Sequence, residues 1–274
     1  MISLPKRKVP PVVRTKCLNL VIVGFAMIKK YIPLKLRKKV PKSWKAVLHK
    51  IHPRFKWHGS ERIFCISIQK TGTTSVGDFF VKNGYPTARY IHSITSEWPQ
   101  LWYDGDFEGI FQSAAFKRYQ VFEDDPWWYP EFYRVLYHRF PNSKFIFFTR
   151  NVDDWFNSMM NHSEGRTLGN TKRHCKLYRR EAEFFDRLEN DPDFTPTSGK
   201  DRLMSLKEKE DHYKELYRLR EVEVDDFFKD KDENRFIKLQ LTDPEKWKKL
   251  ADFCDLQAVP HSEFHSNRTA DRMG

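Results

Sequence analysis

The chain has 274 residues, with 49 Lys and Arg against 37 Asp and Glu, a formal charge of +12. That charge is uneven: residues 1–60 hold 16 of the basic residues and none of the acidic ones, leaving the remainder at about −4. Length and charge together fit a basic arm (1–58) ahead of one sizeable domain (59–274). The four cysteines (Cys17, Cys65, Cys175, Cys254) are widely spaced, which argues against a zinc site or a disulfide framework and for a reducing, cytoplasmic setting.

Within the arm, residues 17–28 are apolar between Lys16 and Lys29-Lys30. That run is too short to span a bilayer, which takes ~20 residues. It suits a basic segment lying on a membrane surface, or a helix packed on the body. The length also suits a signal-peptide core, but no small-residue cleavage site follows. Nucleic acid is an unlikely partner, because no recognised binding motif accompanies the charge.

The body opens with an apolar run over 62–68 that predicts a buried strand. A turn over 69–75 leads into an amphipathic helix over 75–83, stopped by Asn83-Gly84-Tyr85-Pro86. Residues 86–118 are mixed and aromatic. A strand over 119–123 runs into Glu123-Asp124-Asp125-Pro126, followed by a helix over about 130–139 and a strand over 144–149. A helix then starts near Asn151 or Asp153, either of which can cap it. Residues 161–175 read as a loop, 174–190 and 203–229 as helices, 235–241 as a strand and 243–254 as a short helix. Strands alternating with helices predict an α/β fold: a parallel β-sheet of the P-loop type, flanked by helices as a three-layer sandwich. Ligands then bind at the carboxyl ends of the strands.

The segment Lys70-Thr71-Gly72-Thr73-Thr74-Ser75 joins the first strand to the first helix. Free amides of a first helical turn, with the helix dipole behind them, make an anion cradle. The order is not that of a Walker A loop, since the lysine precedes the glycine. It resembles the 5′-phosphosulfate loop of sulfotransferases, which take the sulfuryl group from 3′-phosphoadenosine 5′-phosphosulfate (PAPS). The family usually has Pro before this lysine, and here Gln69 stands there. Arg150 at a strand end with Ser158 eight residues on is similar to the family's 3′-phosphate site. The alternative is that Arg150 pairs with Asp153 or Asp154. The resemblance covers roughly residues 60–268 and is weak over 86–118 and 159–230, where acceptors usually bind.

The resemblance implies transfer from PAPS to a hydroxyl or amine, on a carbohydrate or glycolipid, with 3′-phosphoadenosine 5′-phosphate (PAP) as product and no metal required. Lys70 stabilises the leaving oxygen, and Thr71 to Ser75 hold the 5′-phosphate. Many relatives place a His two residues before a Pro at the second strand's end; here that position is Asp124. A carboxylate can act as the base if burial raises its pKa. Glu123, Asp125, His92 and His162 are the other candidates, and a helix cap or ion pair is the plain reading of the acidic cluster. Lys172-Arg173-His174 either grips an acidic acceptor or is a solvated run. Two other functions stand beside this one. A phosphotransferase would need the missing Gly-Lys-Ser/Thr and a Mg²⁺ site. A non-catalytic carbohydrate- or partner-binding protein could keep the same fold.

Overall fold

The computed structural model describes residue 57, 61–163, 171–196 and 204–256. The apolar segment 17–28 and most of the basic arm lie outside these residues. Trp57, on the arm side of the expected 58/59 boundary, donates its indole N–H to the Arg118 carbonyl at 3.1 Å, and the Arg62 guanidinium lies over its ring.

The elements run β1 (Ile63–Cys65), α1 (Thr73–Lys82), β2 (Thr87–Ala88), α2 (Tyr90–Thr95), α3 (Trp98–Tyr103), α4 (Phe107–Gln112), α5 (Ala114–Arg118), β3 (Val121–Phe122), α6 (Phe132–Arg139) and β4 (Lys144–Thr149). They continue with α7 (Val152–Ser163), α8 (Lys172–Leu177), α9 (Glu181–Asn190), α10 (Glu210–Phe228), β5 (Phe236–Gln240) and α11 (Lys246–Phe253). All four strand pairings are parallel, in the order β2-β3-β1-β4-β5. β1 therefore sits at the centre, with the acid-bearing β3 on one side and the arginine-bearing β4 on the other.

Side chains alternate across this sheet, as the pleat requires. Phe64, Phe122, Phe145 and Phe147 point into an aromatic core with Trp98, Trp127, Phe132, Trp155 and Tyr217. Ile63, Cys65, Val121, Ile146 and Phe148 point the other way, against Val76, Phe79 and Phe80 of α1 and Leu250 of α11. Helices thus cover both faces, giving three layers. Both faces are dry, so the central strands read as continuous apolar runs rather than alternating ones.

β1 is shorter than the expected 62–68, and the reason is Ser67. The Phe148 amide, which would otherwise continue the ladder, donates to the Ser67 hydroxyl at 2.7 Å. The expected helix over 174–190 is two helices, broken where Arg179 adopts φ 51°. The stretch 86–118 contains the edge strand β2 and four short helices. Of the expected loop over 161–175, both ends are helical, since α7 runs to Ser163 and α8 begins at Lys172. Among the described residues no helix is long and apolar enough to cross a membrane.

Candidate functional site

Three strand ends meet at the carboxyl edge of the sheet: the turn after β1, the acidic turn after β3 and Arg150 after β4. Ile68 begins the first turn. Its carbonyl accepts from both the Thr71 amide (3.3 Å) and the Thr71 hydroxyl (2.6 Å). Thr71 is fully buried and shapes the turn. It leaves the expected set of phosphate-holding groups, because neither donor is available.

Gly72 caps α1 at φ 93°, a left-handed conformation that glycine adopts without strain. The Ser75 amide closes back on the Gly72 carbonyl at 2.9 Å. The amides of Gly72, Thr73 and Thr74 have no hydrogen-bond partner among the described residues, nor do the Thr73 and Thr74 hydroxyls. Three amides and two hydroxyls at a helix start form a cradle for a tetrahedral anion.

Lys70 and Asp124 are both non-glycine residues at positive φ, 70° and 71°. Each such residue costs of order 1–3 kcal/mol and persists only where the surroundings hold it. The ammonium of Lys70 lies within electrostatic range of Asp124 and draws its pKa down, against stronger upward influences. Burial is the largest of these, followed by the charges of Asp125 and Glu123, and the Asp124 carboxyl stands well above the usual range.

The three carboxyls differ in their partners. Asp125 accepts from the Trp128 indole at 2.7 Å and from the Tyr129 hydroxyl. Burial lifts its pKa, and those bonds pull it back. Glu123, 2 % exposed, is pushed up to about 7 by burial, opposed by Arg89, whose Nε donates to Oε1 at 3.1 Å. Asp124 accepts only the amide of Asp125, at 3.0 Å, among the described residues. It is the carboxyl of the three without a side-chain donor.

Arg150 is anchored through its backbone. Its amide donates to the Tyr217 hydroxyl at 3.0 Å, and that hydroxyl donates to the Arg150 carbonyl at 3.1 Å. Its Nη1 reaches the Lys70 carbonyl at 3.3 Å, joining the first and third strand ends. The expected alternative, pairing with Asp153 or Asp154, does not occur: Asp153 pairs with Lys214 at 2.7 Å. Asn151 caps α7, accepting from the Asp153 amide at 2.9 Å. Ser158 is half-buried on that helix and makes no bond to Arg150. Trp155 of the same helix donates to the Gln69 carbonyl at 2.9 Å, a second tie to the turn.

His92 is withdrawn as a candidate base. It is buried, and its Nδ1 accepts the Arg89 amide at 2.8 Å, capping α2. His162 is exposed near the end of α7. In Lys172-Arg173-His174, Lys172 is exposed and the other two are half-buried, with Arg173 within electrostatic range of Asp125. Lys172 lies over the Phe185 ring, Arg173 donates to Gln100 at 3.0 Å, and burial pushes His174 down to about 3.

Several residues escaped sequence reasoning. Arg89, after β2, bonds two chain segments, Thr74 and Asp78 of α1 and Glu123 after β3. Tyr178, fully buried, pairs with the Gln69 side chain and lies within electrostatic range of Asp124 and Asp125. Tyr90, 53 % exposed, flanks the same carboxyls. One signal was present: Gly77 in the middle of α1, a position where glycine usually marks a close approach.

The turn after the central strand brings helix-start amides, a lysine and, after the neighbouring strand, a carboxyl to one edge of a parallel sheet, which makes this edge the candidate site. The family model described as a sulfotransferase domain matches residues 62–273, and the chain belongs to that family. Its domain is therefore one that moves sulfuryl groups. A comparison with curated proteins returns no relative of significant similarity.

Proposed function

We propose that the protein transfers a sulfuryl group from PAPS to a hydroxyl or amine of a carbohydrate or glycolipid acceptor, releasing PAP and using no metal. The observation that carries this reading is that Lys70 and Asp124, both on strained backbone, stand at the ends of the neighbouring strands β1 and β3 within electrostatic range of each other, beside the amides that open α1. The Gly72, Thr73 and Thr74 amides, with the Thr73 and Thr74 hydroxyls and Ser75, hold the 5′-phosphate. Arg150 and Ser158 hold the 3′-phosphate.

The acceptor oxygen or nitrogen attacks sulfur in line, and the sulfur–oxygen bond to the 5′-phosphate breaks. The acceptor's proton passes to the Asp124 carboxylate. The negative charge that grows on the leaving oxygen meets Lys70. The exposed ring of Tyr90 beside the carboxyls supports a sugar acceptor, which can stack on it. The basic arm is assigned to an anionic membrane surface on the cytoplasmic side, on its charge alone.

Calorimetric titration with PAP, beside ATP plus Mg²⁺, tests the donor. Micromolar binding of PAP, weakened about tenfold or more by Arg150→Ala or Lys70→Ala, is expected. Tight ATP–Mg²⁺ binding with none for PAP would move the protein to the phosphotransferases.

A further inference from the structure

Arg89 is 22 % exposed and follows the two-residue edge strand β2. Its guanidinium donates in three directions. Nη2 reaches the Thr74 carbonyl at 2.8 Å, in the first turn of α1. Nη1 pairs with Asp78 at 2.5 Å, one turn further along that helix. Nε pairs with buried Glu123 at 3.1 Å, the residue before Asp124. One planar fork thus joins the helix that carries the cradle to the turn that carries the carboxyl. A lysine has the charge but not the fixed geometry for three such bonds.

Gly77 makes this close approach possible. A Cβ there would meet Arg89 Nε and Nη2 and Glu123 Cγ, each at 3.0 Å. The pair lies close against the face of α1, where a side chain at residue 77 would crowd both groups.

We propose that Arg89 is a positioning residue of sulfuryl transfer, clamping the phosphate-holding helix to the strand end that carries Asp124. The clamp fixes the spacing between the donor phosphates and the base, and it rests on the donor reading above. Misplacement of a reacting group by about 1 Å can lower turnover a hundredfold while leaving binding nearly intact.

The test uses the full chain, with PAPS as donor and water as acceptor. Water attacks sulfur and gives up its proton to the Asp124 carboxylate, the sulfur–oxygen bond to the 5′-phosphate breaks, and sulfate and PAP are released. Arg89→Lys, Glu123→Gln and the double variant are compared by sulfate release at saturating PAPS, PAP affinity and thermal midpoint. In each single variant, release should fall about tenfold or more with PAP affinity within about threefold, and the double should fall no further than the worse single. A merely structural role would instead lower midpoint, affinity and rate together, with effects that add. Sulfate release by Arg89→Lys within about twofold of the parent overturns the clamp. If Arg89→Lys does not fold, Glu123→Gln decides by the same criterion. A parent that binds PAP but releases no sulfate overturns the clamp alone. A parent that binds no PAP fails the donor reading first, a separate result.

Discussion

Asp124 is singled out by what does not touch it. Asp125 is committed to an indole and a phenol, and Glu123 to a guanidinium. Asp124 keeps its lone pairs for an incoming proton and is held at φ 71° by the turn on either side. As a base it must be ionised to work. Its pKa is raised, so turnover should rise with pH through a limb displaced above the usual carboxylate range. Asp124→Asn should lose about 10²–10⁴-fold in turnover and abolish that limb. PAP affinity should be nearly unchanged, because Asp124 carries no phosphate. A pH–rate profile of both proteins checks this. Normal turnover in Asp124→Asn would transfer the role to Glu123 and leave the donor site standing.

The turn between β1 and α1 depends on Gly72 in two ways. Its φ of 93° is strained for any L side chain, and a Cβ would lie 2.7 Å from Leu241 Cδ1. Gly72→Ala should therefore destabilise the protein by about 1–3 kcal/mol and weaken PAP binding, since the cradle's amides take their direction from this residue. Denaturant unfolding and calorimetry measure the two effects; full stability with full affinity would mean the turn has another low-energy form. The strand, the turn and the Arg150 helix were legible in sequence because β1 and β4 are apolar runs bounded by polar turns. The edge of the site was not. β2 is two residues long and gives no periodic signal, and the aromatic residues around it pack from several short helices at once. The break at Arg179 carries no Gly or Pro, and Thr71 reads like its neighbours although its hydroxyl turns inward. Arg89 could not be found for the same reason: it reaches Glu123, 34 residues on, only after β2 joins β3.

Across the whole molecule, function and stability pull against each other at the carboxyl edge. Glu123 is buried, and its pKa of about 7 in the folded state exceeds its ordinary value of 4.5. The folded protein binds this proton more tightly than the unfolded chain does. The stability from this group is thus fully present below about pH 4.5 and is lost as pH rises through about 7. Asp124 and Asp125, also raised, add in the same direction. The acid turn weakens the fold under the conditions in which Asp124 is ionised and able to act. The aromatic and aliphatic cores on the two sheet faces offset this, since each fully buried Phe contributes about 2–3 kcal/mol. Glu123→Gln resembles the protonated parent at every pH. Its thermal midpoint should match the parent's near pH 4.5 and exceed it increasingly up to pH 8, by on the order of 3 kcal/mol in stability. Arg89 loses its charged partner in this variant, yet burial of the carboxylate weighs more, so the sign holds. A difference between the two proteins that stays flat with pH would mean that Glu123 is solvated in the folded state. The three carboxyls would then titrate as ordinary surface groups, and the displaced limb expected for Asp124 would move down with them.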